Sequence, residues 1–123
     1  MKFGGTSVGN ADCIRRVAAI VQSATTQARI VVVVSAMSGV TNQLVDAAHR
    51  AEAGEKDFLS GLIASLRDKH AAALKALVSD PQNCARIAGL IDDVLDELAR
   101  LLQGTALLCE LTPRVLDAIS GSG

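Results

Sequence analysis

Apolar residues recur every three or four positions along most of this chain, and that spacing predicts amphipathic helices. Asn10 can cap the first helix, in which Ile14 and Val17 share one face. Gly54 and the Asp80–Pro81 pair interrupt the later pattern, because glycine commonly ends helices and proline cannot continue them. The predicted helices span residues 10–24, 42–53, 56–78, 82–103 and 112–119.

Two segments depart from the helical spacing and predict parallel strands. Residues 1–3 have the pattern of a strand end, and the five consecutive β-branched residues at 30–34 have the composition of a strand covered on both faces. A helix is predicted between them, and strand–helix–strand units join parallel strands by a right-handed crossover. The predicted fold class is therefore α/β, with a small parallel sheet and covering helices.

The two longest predicted helices are expected to form an antiparallel αα-hairpin, because only a short break separates them. The second helix repeats its apolar residues with a 4-3-4-3 spacing, which is typical of a helix–helix seam. A group of carboxylates falls on its opposite, solvated side. The seam residues are Ile87, Ile91, Val94, Leu98 and Leu101, they face Phe58, Leu62, Leu66, Ala73 and Leu77, and the carboxylates are Asp92, Asp93, Asp96 and Glu97.

Composition narrows the functions that such a fold can serve. Two Phe and no Trp or Tyr leave no aromatic platform for base stacking, and a net charge of −1 disfavours nucleic acid or an anionic membrane as a partner. Neither a long apolar run nor a signal-peptide pattern is present, so we expect a cytoplasmic protein with small-molecule partners. Cys13, Cys84 and Cys109 are expected to be reduced and mostly buried, and His49 and His70 to be solvated.

The first loop of the chain combines groups that suit an anion. Glycines let a backbone approach a ligand closely, and the start of a helix offers free N–H groups and a positive dipole end. With a lysine beside them, these groups predict a phosphate site, although an ordinary strand-to-helix turn stays open as an alternative. The order of residues excludes a Walker A loop and a GxGxxG motif. The candidate residues are Lys2, Gly4, Gly5, Thr6 and Ser7, and no metal ligand is predicted.

A second loop of small residues, S-A-M-S-G-V-T, follows the predicted strand at 30–34. Ser35, Ser38 and Thr41 can be ligand-binding residues or simple turn and cap residues. Since both loops follow parallel strands, they are expected to meet at the carboxyl edge of the sheet, where α/β proteins bind ligands.

K-F-G-G-T-S-V at 2–8 and V-S-A-M-S-G-V-T-N at 34–42 closely resemble the N-terminal region of aspartokinases, which are members of the amino-acid kinase family. The hairpin resembles the insertion of the lysine-sensitive and bifunctional types. L-D-A-I-S-G-S-G at 116–123 resembles the segment that leads into the family motif S-x-G-E. The resemblance implies part of an amino-acid kinase (carbamate kinase-like) fold, cut before the motif's glutamate. It comprises substrate and phosphate loops at 1–54, a helical hairpin at 55–104 and the lead-in at 105–123.

The resemblance also implies an activity, the transfer of phosphate from ATP to the β-carboxylate of L-aspartate. The product, 4-phospho-L-aspartate, leads to lysine, threonine and methionine. Lys2 matches the lysine that neutralises the transferred phosphate, Gly4 and Gly5 match the N–H donors, and Thr6 and Ser7 add hydroxyl groups. Ser35 and Thr41 match positions of the aspartate pocket. ATP and Mg²⁺ are implied for the parent enzyme, with neither bound tightly by these residues alone.

Two further expectations concern the chain by itself. We expect it to be inactive, because the resemblance assigns the nucleotide half of the site and the substrate-gripping glutamate to residues beyond 123. We also expect self-association, because a strand with an open edge pairs with other strands. The alternatives are another amino-acid kinase, directed to glutamate, uridylate or carbamate, and a non-catalytic helical interaction module.

Overall fold

A computed structural model describes the whole chain from Met1 to Gly123. Two short strands and five helices follow one another in the order that the hydrophobic pattern predicts. The strands are β1 (Lys2–Phe3) and β2 (Val33–Val34). The helices are α1 (Ala11–Thr25), α2 (Val40–Glu52), α3 (Leu59–Leu77), α4 (Pro81–Leu108) and α5 (Pro113–Ser120).

The two strands pair in parallel, as predicted, with Phe3 opposite Val34. The N–H of Val33 donates to Met1 O at 2.8 Å, and the N–H of Ser35 donates to Phe3 O at 3.0 Å. The crossover between the strands contains α1. Both strands therefore end at the same edge of the sheet, and the α/β fold class is confirmed.

The second strand is shorter and more exposed than predicted. Regular pairing covers Val33–Val34 rather than the full run at 30–34. Val31, Val33 and Val34 are 77%, 54% and 60% exposed, because β2 has one neighbouring strand and its side chains remain in contact with solvent. The prediction of a strand covered on both faces is wrong for this chain.

Three predicted helix signals are confirmed by hydrogen bonds. The Asn10 side chain accepts from the N–H of Cys13 at 3.0 Å, and the Thr112 hydroxyl accepts from the N–H of Val115 at 3.2 Å, so both residues cap helices. Gly54 follows α2 with a φ of +84° and donates to Ala51 O, as expected for a glycine that ends a helix.

Three helix boundaries differ from prediction. Helix α2 begins at Val40, because Gly39 takes the cap position with a φ of +81°. Helix α3 begins at Leu59 after a turn in which the Arg50 guanidinium stacks 4.0 Å from the centroid of the Phe58 ring. Helix α4 continues past residue 103 to Leu108, because the buried contacts of its last turns outweigh the cost of a glycine inside a helix.

The core lies between α2, α3, α4 and α5. In α4 the core contains Leu95, Leu98 and Leu102, and Ile91 and Leu101 pack against it. The predicted seam is therefore right at Ile91, Leu98 and Leu101 and wrong at Val94, which is 46% exposed. Ile87 and Ile91 also line an apolar cavity. Twelve buried residues form the core: Val40, Leu44, Ala47, Ala48, Ala51, Leu59, Leu66, Leu95, Leu98, Leu102, Ala106 and Ile119.

The polar side of the hairpin matches its prediction. All four carboxylates of α4, residues 92, 93, 96 and 97, are exposed. Arg67 of α3 donates to Asp92 at 2.8 Å, and this hydrogen bond raises the pKa of the guanidinium above its ordinary value. Because both partners are solvated, the pair adds little to stability.

The expectations for histidine and cysteine hold in part. His49 is exposed as predicted, but His70 is half-buried, with Nδ1 2.7 Å from Leu66 O. Cys109 is exposed and Cys13 and Cys84 are half-buried, so the prediction of mostly buried thiols is wrong; all three are free. No helix combines the length and the apolar composition needed to cross a membrane.

Candidate functional site

The first candidate loop leaves β1 at Phe3 and closes through a tight turn, in which the N–H of Ser7 donates to Gly4 O at 2.9 Å. Lys2 and Thr6 are exposed, so an ammonium and a hydroxyl group face solvent on either side of the glycines. A side chain at Gly4 would place its Cβ 3.9 Å from Lys2 Nζ, so the lysine turns back over the loop. This arrangement puts a positive charge beside exposed main chain.

The second candidate loop continues from β2 into α2. Ser35 is exposed at the strand end, and Thr41 is the second residue of α2 and is also exposed. The N-cap residue of α2 is Gly39, so no side chain accepts a hydrogen bond from the first N–H groups of the helix. The alternative that Thr41 acts as the helix cap is therefore wrong, and its hydroxyl group remains available to a ligand.

The two loops touch each other through glycine residues. A Cβ added at Gly5 would lie 3.4 Å from Ala36 O and 3.8 Å from Ser35 Oγ. A Cβ added at Gly9 would lie 3.2 Å from Ser38 Cβ and 3.2 Å from Gly5 O, which is tighter than ordinary contact. The predicted convergence of the loops is confirmed. Gly9 belongs to the contact although sequence reasoning did not single it out.

A third segment, at the end of α5, reaches the same place. A Cβ added at Gly123 would come 3.0 Å from Ala36 Cβ and 3.2 Å from Val40 Cγ1. The G-S-G sequence that follows α5 therefore lies against the second loop. Three segments that are remote in sequence thus meet at one edge of the strand pair.

The helical hairpin also contacts the second loop, through Lys69 of α3. Its Nζ donates to Ser38 O at 2.5 Å. Sequence reasoning did not identify this lysine. Its helical spacing from Leu66 and Ala73 places it on the half-buried face of α3, and this spacing is the signal that could have identified it.

An apolar cavity lined in part by the second loop is not the candidate phosphate site. It has a volume of about 480 Å³ and lies beneath the second loop, between α1, α3 and the start of α4. Thirteen of its sixteen lining residues are hydrophobic, so an anion placed there would lose its hydration without gaining partners. Lys2, Ser35 and Thr41 are exposed and Gly4 and Gly5 are half-buried, so the polar groups of the two loops remain accessible from solvent.

Comparison with known proteins gives three consistent findings. The model of the amino acid kinase family matches residues 1–120. The chain is 37% identical over 122 residues to the bifunctional aspartokinase/homoserine dehydrogenase 1, chloroplastic, of Arabidopsis thaliana, and this match covers 99% of the chain and 13% of that protein.

Two crystal structures of E. coli aspartokinase III match at 31% sequence identity, and each match covers 99% of this chain and 25% of that one. The TM-score is 0.79 for the complex with lysine and aspartate in the T-state and 0.80 for the complex with aspartate and ADP in the R-state. The chain thus spans an eighth to a quarter of the length of these relatives.

Proposed function

The chain belongs to the amino acid kinase family, and from this we propose that it supplies the phosphate-binding loop and part of the aspartate pocket of an aspartate kinase. The reaction is phosphoryl transfer from ATP to the β-carboxylate of L-aspartate. One observation carries the proposal. Two small-residue loops meet at the carboxyl edge of a parallel strand pair, with Lys2 exposed beside them.

The proposed chemistry follows from charge. Both the carboxylate and the phosphate are anions, so their approach requires positive charge and preorganised N–H donors more than a covalent catalyst. Lys2 supplies the charge, and Gly4 and Gly5 allow the main chain to approach the phosphate oxygens. Thr6 and Ser7 add hydroxyl donors on the same loop.

We propose that the second loop binds the amino-acid substrate. Ser35 and Thr41 present hydroxyl groups at the strand end and on the first turn of α2. A carboxylate held there would also lie near the start of α2, where helix N–H groups favour anions. The complexes of the E. coli enzyme with aspartate and with ADP support this choice of substrate and nucleotide.

Magnesium ion fits the reaction but not these residues. The residues proposed here offer one ammonium group, hydroxyl groups and main-chain N–H groups, whereas Mg²⁺ prefers carboxylate and phosphate oxygens. Its protein ligands are proposed to lie outside residues 1–123.

The test is an assay of ATP-dependent acyl phosphate formation by the complete gene product that includes residues 1–123. Aspartate, glutamate, uridylate and carbamate are offered in parallel. Release of ADP detects turnover with each acceptor, and trapping with hydroxylamine identifies the acyl phosphates, which uridylate does not form. Turnover with aspartate alone is the expected result. Turnover with another acceptor would move the protein elsewhere in the family, and no turnover with any of them would leave the helical interaction module as the better reading.

A second arm assays residues 1–123 alone. We expect no turnover, because one lysine and a glycine loop cannot orient both reactants. Light scattering on the same sample tests self-association through β2, and a monomer at micromolar concentration would contradict that proposal.

A further inference from the structure

Lys69 connects the middle of α3 to the main chain of the second loop, 31 residues earlier in the chain. No backbone N–H donates to the carbonyl of Ser38, so the lysine is its hydrogen-bond partner. Lys69 forms no ion pair with any carboxylate. Its charge is therefore directed at a neutral carbonyl group, in a charge-assisted hydrogen bond that is stronger than a neutral one.

Ser38 occupies the point at which the second loop turns into α2. The next residue, Gly39, has a φ of +81° and occupies the N-cap position, where it has no side chain to bond the first turn of α2. Within the turn, the N–H of Val40 donates to Met37 O at 3.1 Å. Val40 is anchored in the core on the inner side of this turn, and the bond from Lys69 restrains the turn on the side of Ser38. Thr41 lies on the first turn of the helix that begins there.

The same serine touches the first loop on its other side. Its Cβ would lie 3.2 Å from a Cβ added at Gly9, so Ser38 packs closely against the end of the first loop. Helix α3 also holds the helix that follows that loop, because Arg15 of α1 donates to Ala76 O at 3.0 Å. Helix α3 therefore contacts the second loop directly and reaches the first loop only through α1.

We propose that Lys69 is a positioning residue that holds the Ser35–Thr41 loop in the conformation that binds aspartate. The identity of the substrate rests on the proposed function. The restraint rests on the observed hydrogen bond from Lys69 to Ser38 O. Lys69 touches no reactant; it acts through the Ser38 carbonyl. A purely structural tether would lower stability without separating the two substrates.

The test compares three variants of the complete gene product. Lys69→Met keeps the length of the side chain and removes its charge and donors, and Lys69→Arg retains both. Lys75→Met changes an exposed lysine of the same helix and serves as the matched control. We expect Lys69→Met to raise the KM for aspartate on the order of 10-fold, since small misplacements of a substrate-binding group are costly.

The expected KM for ATP in Lys69→Met stays within about twofold of the unmodified value, because the first loop keeps its own residues. Lys69→Arg should restore most of the affinity for aspartate, and Lys75→Met should match the unmodified protein. Equal changes in both KM values, or an unchanged KM for aspartate, would overturn the proposal.

Hydrogen exchange separates this inference from the proposed function. Amides of Val40 and Gln43, which donate to Met37 O and Gly39 O, should exchange faster in Lys69→Met than in Lys75→Met, while amides in α4 keep their protection. If the unmodified protein does not phosphorylate aspartate, the proposed function and the substrate named here both fail, and exchange alone decides whether Lys69 restrains the loop. Unchanged exchange at Val40 and Gln43 would refute the restraint.

Discussion

The helices after Val40 and the region before it are stabilised in different ways. The twelve residues of the core all come from α2 to α5, whereas Val8 and Val17 are the only buried residues before Val40. The valines of β2 remain exposed to solvent. The candidate site, by contrast, lies almost entirely in the earlier region. Stability and proposed chemistry are therefore carried by different parts of the chain.

The two regions differ in stability because the helices pack against sequence neighbours, whereas the strands depend on residues that are distant in sequence. Helices α3 and α4 are neighbours in sequence and pack against each other, and α2 and α5 complete the same core. A parallel strand needs partners that are distant in sequence and cover on both faces. Two hydrogen bonds, Lys69 to Ser38 O and Arg15 to Ala76 O, tie the early region to α3.

The largest expected effect is a loss of stability in the helical region. Leu102 is completely buried in α4, so Leu102→Ala should lower the free energy of unfolding by about 3 kcal/mol or more through lost contacts and a cavity. Val33→Ala, at a 54% exposed position of β2, should cost less than about 1 kcal/mol. Urea unfolding of both variants measures the contrast. Equal losses would show that the strands are as well packed as the helices.

The next effect falls on activity instead of stability. Lys2→Ala should reduce the turnover of the complete gene product on the order of 100-fold, a typical loss for a charge that stabilises a transition state. Its melting temperature should hardly move, because Lys2 is exposed and its removal costs less than about 1 kcal/mol. Steady-state kinetics and thermal unfolding test both parts. Near-normal turnover would remove Lys2 from the catalytic residues.

Two Gly→Ala substitutions, one in each region, compare the regions with the same chemical change. Gly9→Ala places a methyl group against Ser38 Cβ and Gly5 O, so we expect about a 10-fold loss of kcat/KM and a destabilised loop contact. Gly61→Ala puts the same methyl group into open space inside α3, and should stabilise the protein by up to about 1 kcal/mol. Should both variants behave alike, the tight contact between the loops is not needed.

The smallest expected effect concerns Thr41. Thr41→Val keeps the shape and removes the hydroxyl group, so we predict a rise of about fivefold in the KM for aspartate with little change in that for ATP. Since Gly39 caps α2, the melting temperature should stay the same. A lowered melting temperature with an unchanged KM would instead assign Thr41 a structural role.

Much of this fold could be predicted from local patterns. Helical spacing identified all five helices, and the caps at Asn10 and Thr112 mark the starts of two of them. The crossover rule correctly brought the two loops to one edge of the strand pair. These features depend on interactions within a few residues or on chain topology, and both can be read from sequence.

The sequence predictions were wrong or incomplete where contacts between residues distant in sequence determine the structure. Helix α4 runs through Gly104 because Leu102 and Ala106, on either side of it, are buried in the core against other helices. The composition of β2 indicates a covered strand, but burial depends on neighbours that composition does not specify. The contact from Lys69 to Ser38 joins residues 31 positions apart, and half-burial of one lysine does not identify its acceptor.

The valine run also bears on how the strands find their alignment. Sliding β2 by one position towards its N-terminus would place Val32 and Val33 opposite Lys2 and Phe3, so the side chains discriminate poorly against that register. Alignment must come from the ends of the strands, where Ser35 bonds to Phe3 O and Gly5 lies against Ala36. A ligand that orders the two loops would then also select the register. By linkage, its binding energy would add to the stability of the sheet.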